Sequence, residues 1–170
     1  MRRFLAVLPT LLLLWALVAQ LNHELAAAHV FLFVGGLFVT YTSLSFPLGA
    51  GMAASFVAGL VLDANSPVAF GTHALLFAAA HALLYDLKDR MPRDDTLGRV
   101  AIALVANLGL FLALSFLEAA ASTTAGTAWP RLFADLFCSQ VVLAVAAPWF
   151  FSLQRRVLVL AGAEPETLDG

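Results

Sequence analysis

Residues 51–73 read GMAASFVAGLVLDANSPVAFGTH, and the pattern within them governs how the rest of the chain is built. A small or polar residue recurs at every fourth position: Gly51, Ser55, Gly59 and Asp63. Four residues make slightly more than one helical turn, so these side chains form a narrow stripe along one side of a helix. In lipid, packing replaces hydrophobic burial as the driving force, and such a stripe predicts close contact with another helix.

The acid that ends this stripe, Asp63, should face protein rather than lipid because it continues the same side of the helix. Ser66 followed by Pro67 is a suitable N-cap and first helical residue, which predicts a tight turn between two membrane spans. A turn alone does not explain why an acid ends the stripe. The sharper hypothesis is that Asp63 is a docking position, needed for function more than for folding. Water or the start of the next helix, around residues 68–70, would offset its charge.

Composition places the whole chain in a membrane. Of its 170 residues, 62% are hydrophobic and 12% are charged, and the mean hydropathy is +0.92. Soluble domains are about half apolar and about a quarter charged. The longest polar stretch, about a dozen residues, is too short to fold as a separate domain. We therefore expect one all-α integral membrane domain over residues 1–170, embedded in a lipid bilayer.

Apolar runs long enough to cross the hydrocarbon predict six transmembrane helices. The predicted spans cover about residues 4–21, 26–41, 46–62, 71–85, 100–117 and 132–153, and residues 154–170 form a tail. Short loops that carry Lys and Arg remain in the cytoplasm. With six spans, eight of the nine basic residues lie on one side and only Arg131 lies on the other. This distribution predicts cytoplasmic N and C termini.

The polar residues give little support to catalysis or to a metal site. The chain has no Gly-x-Ser-x-Gly, no His-Glu-x-x-His and no Gly-rich phosphate loop, and no His or acidic pair has tight metal-ligand spacing. His73 and His81 lie on roughly one face of the fourth span, where packing is favoured over a proton relay. Asn107, inside the fifth span, predicts an interhelical hydrogen bond. We predict no enzyme, no cofactor and no nucleic-acid partner.

Two short motifs carry a resemblance to a known family. The first is Gly59-Leu-Val-Leu-Asp63, followed by Ser66-Pro67, Gly71 and Ala74-Leu75, and the second is Ala147-Pro148-Trp149-Phe150-Phe151, followed by Arg155-Arg156. With the chain length and the six predicted spans, they resemble the bacterial rod shape-determining protein MreD family. One departure is Ala28-His29-Val30, which stands where many members carry an Arg-Pro pair before the second span.

The resemblance implies a non-catalytic scaffold that crosses the bacterial inner membrane several times. MreD-like proteins work in the cell-elongation complex, where they support peptidoglycan synthesis and cell shape. They associate with MreC and, through the complex, with MreB, RodA and its penicillin-binding transpeptidase. The residues expected to bind a partner or to support the structure are Gly51, Ser55, Gly59, Asp63, Ser66, Pro67, Gly71, His73, Pro148 and Trp149.

The resemblance also implies a six-helix fold shared with the substrate-binding subunits of energy-coupling-factor transporters. The alternative function is therefore a vitamin or metal uptake subunit of that kind. Such subunits typically carry Ala-x-x-x-Ala on the first span, where it docks their partner. The first span here contains Ala6, Ala16 and Ala19, and no two of them are four residues apart. This spacing counts against the alternative.

Overall fold

The computed structural model describes residues 2–64, 66, 68–90, 95–121 and 125–160. These residues form six α-helices and no strand, so the all-α prediction is confirmed. The helices are α1 (Arg2–Leu25), α2 (Gly35–Ser45), α3 (Leu48–Asp63), α4 (Thr72–Leu87), α5 (Thr96–Ala121) and α6 (Ala125–Leu160). Short 3₁₀ turns cover Ala26–Ala28 and Lys88–Arg90.

Within the part of the chain that the structure describes, two helices are long and apolar enough to cross a membrane by themselves. They are Thr96–Ala120 within α5 and Trp129–Leu160 within α6, and Leu48–Asp63 is a shorter apolar helix. The outward side chains of α5 and α6 include Val105 and Val145, both more than half exposed. This surface suits contact with lipid, and the six crossings stay a prediction.

The region of the second predicted span is not one continuous helix. Residues 26–28 form a 3₁₀ turn, residues 30–34, termed the extended segment, have no regular secondary structure, and α2 begins only at Gly35. The 11 residues of α2 cover about 16 Å at 1.5 Å per residue, roughly half the hydrocarbon thickness. Between the turn and the extended segment, His29 has a left-handed backbone with φ 56°. The expected helix over residues 26–41 is therefore replaced by a turn, an extended segment and a short helix.

Helix α2 lies at the centre of the bundle, where it packs against α3, α4, α5 and α6. One apolar cluster joins it to α5 and α6 around Leu37 and Leu143, both fully buried. A second cluster joins the residues before α2 to α4 and α5. In that cluster the ring of Phe33 meets Phe77 and Phe111 edge to face, with ring centroids 6.3 Å apart in both pairs. The extended segment is thus anchored in the core.

Helices α3 and α4 pack closely along the small-residue stripe. All four stripe residues are buried. A Cβ atom added at Gly59 would overlap the backbone of Ala74, and one added at Gly51 would overlap the ring of His81. The prediction of a close helix contact is confirmed, and the partner is α4 of the same chain.

The last helix continues beyond the predicted end of the sixth span. Helix α6 reaches Leu160, so the first part of the predicted tail, residues 154–160, is helical. Gln154 is fully buried. Its Nε2 donates to Thr10 Oγ1 at 2.7 Å, and the Thr10 hydroxyl donates to Gln154 Oε1 at 2.9 Å. This pair ties α1 to α6. Residues 161–170 lie outside the described residues.

Candidate functional site

The Asp63 carboxylate holds the turn between α3 and α4. Asp63 is the last residue of α3 and is 4% exposed. Its Oδ2 accepts hydrogen bonds from the backbone N–H groups of Gly71 at 2.9 Å and Ala74 at 3.2 Å. Its Oδ1 accepts one from the backbone N–H of His73 at 2.9 Å. One side chain thus satisfies three N–H groups at the start of α4, where the helix dipole also favours a negative charge.

The His73 imidazole completes this arrangement. Its Nδ1 lies 2.8 Å from Asp63 Oδ1, and its ring packs edge to face on Phe77 with centroids 6.3 Å apart. In the neutral imidazole, a carboxylate acceptor selects the tautomer that carries its proton on Nδ1, which leaves Nε2 as an acceptor. The imidazole is therefore held in one orientation and has one nitrogen free for a further partner.

The cap of α4 differs from the sequence expectation. Gly71 precedes the helix with φ 97°, a conformation that glycine adopts without a steric penalty. Ser66 lies in a bend, where its Oγ accepts from the Val68 N–H at 3.4 Å. The prediction that Ser66 is the N-cap is wrong, because Asp63 reaches over from α3 and supplies that function. Pro67 lies outside the described residues.

Two other predictions for Asp63 are confirmed. Its side chain faces protein, with no exposed area, as its place in the stripe predicted. The start of the next helix offsets its charge, at Gly71–Ala74 rather than around residues 68–70. Because both carboxylate oxygens point into the protein, they bind the backbone at the start of α4 and hold the turn in place. This geometry favours a structural role over direct docking through the charge.

A second polar cluster lies between α2, α3 and α4. His81 is fully buried, and its Nδ1 is 3.1 Å from Ser43 Oγ and 3.3 Å from Thr42 Oγ1. Thr42 Oγ1 is in turn 2.9 Å from Ser55 Oγ. This contact explains why the stripe contains a serine at this position, because the Ser55 hydroxyl joins α3 to α2. Among the described residues, His81 Nε2 has no hydrogen-bond partner.

Helix α6 holds one side of the extended segment at residues 31–34. The backbone N–H of Phe31 donates to Asp135 Oδ1 at 2.9 Å, and that of Phe33 donates to Ser139 Oγ at 3.0 Å. Extended backbone at membrane depth is tolerated only where protein groups satisfy its polar atoms. Asp135 and Ser139, both buried, supply this for two of the N–H groups.

Asparagines of α1 and α5 hold the rest of the segment. Asn22 accepts from the Leu32 N–H at 2.7 Å and donates to the Leu32 carbonyl at 2.9 Å. Asn107 donates to the Phe33 carbonyl at 2.9 Å and accepts from the Gly36 N–H at 3.0 Å. The interhelical hydrogen bond predicted for Asn107 is confirmed, although its partners are backbone groups of an interrupted helix rather than another side chain.

Sequence reasoning missed this clamp, although signals for it were present. Gly35 and Gly36 follow the extended segment, and both lie where a side chain would not fit. A Cβ atom at Gly36 would overlap the backbone of Asn107. A glycine pair beside an apolar run, together with isolated polar residues in other spans, is the pattern of a broken helix. Those signals identify residues that take part in the clamp, but they do not show that these residues lie close together in the fold.

A cavity of about 260 Å³ lies beside the extended segment. Its walls come from α1, residues 31–35, α3 and α4, and most of them are apolar. The polar side chains that line it belong to Asn22, Ser66 and His73. Since the Asn22 amide is engaged with Leu32, the polar side chains left for an occupant among the described lining residues are Ser66 and His73.

With this geometry established, the comparisons with known proteins identify the family. Residues 1–157 match the family described as rod shape-determining protein MreD. The chain belongs to the MreD family. Membership assigns it a structural role in determining rod cell shape and an association with the membrane. Comparison with curated proteins and with solved structures found no match.

The residues expected to bind a partner or to support the structure lie in three places. The α3–α4 turn brings together Asp63, Ser66, Gly71 and His73, and the stripe below it contains Gly51, Ser55 and Gly59. Pro148 and Trp149 lie on α6, which packs against α1, α2 and α5. Trp149 is 81% exposed. Among the described residues of this MreD-family chain, no three His, Cys, Asp or Glu side chains are grouped to hold a metal ion.

Proposed function

We propose that this protein is a scaffold of the bacterial cell-elongation complex, spanning the inner membrane six times with both termini in the cytoplasm. It supports peptidoglycan synthesis by associating with MreC and, through the complex, with MreB, RodA and its penicillin-binding transpeptidase. The family match over residues 1–157 is the observation that carries this proposal. The apolar outward faces of α5 and α6 support the membrane assignment.

A scaffold must present a fixed surface to its partners, and the two clamps support such a role. Asp63 holds the α3–α4 turn, while Asn22, Asn107, Asp135 and Ser139 hold the extended segment. Both use buried or half-buried side chains. In this proposal the two clamps fix the arrangement of the helices in the membrane, and exposed residues elsewhere make the contact with MreC.

The central experiment is complementation of an mreD deletion strain, combined with a crosslinked pull-down from native membranes. We expect the wild-type chain to restore rod shape and to recover MreC. Trp149→Ala should keep normal membrane levels but recover less MreC, because this large side chain is 81% exposed. Phe137→Ala, which alters another exposed aromatic residue of α6, is the matched control. Recovery of no elongation-complex protein by the wild-type chain would contradict the proposal.

The six-span arrangement has its own test. Reporter fusions at Arg99 and Gly170 should report a cytoplasmic location, and a fusion at Ala125 should report the periplasm, because the basic residues flank alternate spans. The measurement is reporter activity in intact cells. A periplasmic signal at Arg99 would exclude this orientation.

A second candidate function is the substrate-binding subunit of an energy-coupling-factor uptake transporter for a vitamin or a metal. One observation favours it, namely the cavity of about 260 Å³ beside residues 31–35. The same pull-down separates the two functions, since an uptake subunit would recover an ATPase module instead of MreC. The lack of an Ala-x-x-x-Ala sequence in the first span weighs against this candidate.

A further inference from the structure

The cavity between α1, α3 and α4 is large enough for part of an organic molecule. Its volume of about 260 Å³ exceeds the roughly 150 Å³ of apolar cavities that take up benzene. Leu12, Trp15 and Val18 line it from α1, and Phe38 and Phe77 line it from the core. Because most of this lining is apolar, an apolar chain fits the cavity better than a group of water molecules does.

The source of such a chain is the surrounding bilayer. Helix α1 packs against α6 and α3, and its outer side exposes Leu13 and Leu17, which are 57% and 61% accessible. Leu12 and Phe31 line the cavity and are themselves 43% and 49% exposed. The cavity is therefore open to the outer surface of the bundle, where a lipid chain can enter it directly from the hydrocarbon.

The polar groups of the cavity restrict the head of the lipid. Asp63 holds the His73 ring through Nδ1, so Nε2 offers a lone pair and accepts a hydrogen bond. The Ser66 Oγ accepts from the Val68 N–H at 3.4 Å, and its own proton remains available to donate. A hydroxyl group donates and accepts at once and so complements both groups. A carboxylate or phosphate would instead face the His73 lone pair and the nearby charge of Asp63.

We propose that this cavity binds one acyl chain of a neutral lipid alcohol of the monoacylglycerol class. The chain lies among the apolar side chains of α1, α3 and α4. One head hydroxyl lies between His73 Nε2 and the Ser66 hydroxyl, where it donates to the first and accepts from the second. The bound lipid fills the space beside the extended segment.

The cavity contains its own fluorescent reporter, because Trp15 lines it while Trp129 and Trp149 are exposed elsewhere. In full-length protein with Trp129→Phe and Trp149→Phe, purified in detergent, Trp15 is the remaining tryptophan. The probes are 1-(9,10-dibromostearoyl)glycerol and methyl 9,10-dibromostearate, whose bromines quench indole fluorescence on contact. We expect saturable quenching by both, with the glycerol probe binding about tenfold more tightly, because its head hydroxyl forms two hydrogen bonds that the methyl ester cannot form.

Variants separate binding in the cavity from general contact with lipid. Ala58 lines the cavity, whereas Ala53 on the same helix is exposed. Ala58→Phe should abolish saturable quenching, and Ala53→Phe should preserve it. If Ala58→Phe does not fold, Val18→Phe fills the cavity from α1. Ser66→Ala should reduce the advantage of the glycerol probe over the methyl ester.

Several outcomes would overturn the proposal. Equal affinity for the two probes would show that the cavity does not bind the head hydroxyl. The same conclusion would follow if Ser66→Ala left the ratio of the two affinities unchanged. Saturable quenching that persists in a folded cavity-filled variant would place the lipid outside the cavity. Tighter binding of free 9,10-dibromostearic acid than of the glycerol probe would indicate an anion site and contradict the assigned head group.

Discussion

The α3–α4 turn and the extended segment at residues 31–34 are both places where side chains satisfy an interrupted backbone, yet they draw on different parts of the chain. Asp63 bonds to N–H groups 8 to 11 residues later. The extended segment depends on side chains between 10 and 106 residues away: Asn22, Asn107, Asp135 and Ser139. The first clamp is local and belongs to one helical hairpin. The second joins α1, α5 and α6 to one short stretch of non-helical backbone.

The difference shows that side chains which satisfy backbone polar groups are easier to recognise in a sequence when they lie close to those groups along the chain. A local clamp appears as a spaced motif, such as Gly59 to Asp63 followed by Gly71. A distributed clamp appears as single polar residues, each inside an otherwise ordinary apolar run. Mutation of the two clamps should therefore produce different patterns of loss, and the following tests are designed to measure them.

The largest effect is expected for Asp63→Asn. An amide replaces one carboxylate oxygen with an NH₂ group, which would point a donor at the N–H donors of α4 or at His73. Two charge-assisted bonds are lost and their buried donors stay unpaired, which should lower the free energy of unfolding by about 4 kcal/mol. Thermal melting of detergent-purified protein, together with membrane levels in cells, measures this loss.

The matched control for that variant is Asp95→Asn. Asp95 Oδ1 accepts from the Gly98 N–H at 2.9 Å at the start of α5, but Asp95 is exposed. Asn caps a helix about as well as Asp, so this change should have almost no effect. If Asp63→Asn melts like the wild type while cells lose rod shape, Asp63 acts through its charge on a partner, and the structural role assigned here is wrong.

The next effect in size is expected for Asn107→Leu. Leu has a similar volume but leaves the Gly36 N–H and the Phe33 carbonyl without partners in a buried site. The expected loss is about 3 kcal/mol, from two unpaired backbone groups. Unfolding in a mixed-micelle titration would measure it. Wild-type stability would show that water replaces the amide and that the clamp is dispensable.

A double-mutant cycle tests whether the distributed clamp acts as a unit. Asn22 and Asn107 hold adjoining parts of the segment, at Leu32 and at Phe33 to Gly36. Once one asparagine is lost the segment is partly released, so losing the second should cost less than it does alone. We expect Asn22→Leu and Asn107→Leu to deviate from additivity by about 1 kcal/mol. Strict additivity would show two independent contacts.

Among the single substitutions, the smallest loss of stability is expected for one that alters the packing of the hairpin rather than its hydrogen bonds. Gly59→Leu drives a side chain against the backbone of Ala74 and should cost about 2 kcal/mol by overpacking. Gly49→Leu on the same helix is the control, because a Cβ atom there meets nothing within 4 Å. Equal melting temperatures for the two variants would mean that α3 and α4 separate without cost.

Much of the fold was predictable because helices in lipid are encoded by local composition. The apolar runs located α1, α3, α4, α5 and α6, and the stripe identified the contact face of α3. The turn at Asp63 was also found, since its signals lie within about 20 residues of sequence. Ser55, which the sequence placed in the stripe only by its size and spacing, also forms a hydrogen bond with Thr42.

The interruption before α2 was not predictable from its own residues. Phe31, Leu32 and Phe33 favour a membrane helix by hydrophobicity, and the glycine pair at residues 35–36 permits an interruption without requiring one. The deciding groups are on α1, α5 and α6, and only the three-dimensional arrangement brings them to residues 31–34. The lining of the cavity was beyond sequence reasoning for the same reason, because it combines side chains from several helices.

The distributed clamp also has a consequence for biosynthesis. Asn107, Asp135 and Ser139 belong to α5 and α6, which leave the ribosome after residues 31–34. Until those helices enter the bilayer, the peptide groups of residues 31–34 lack these partners, and a backbone in lipid must then bond within itself as a helix. We therefore expect residues 26–41 to insert first as a continuous helix, whose beginning unwinds when α5 and α6 arrive. The hairpin of α3 and α4 contains its own partners and closes without waiting for the end of translation.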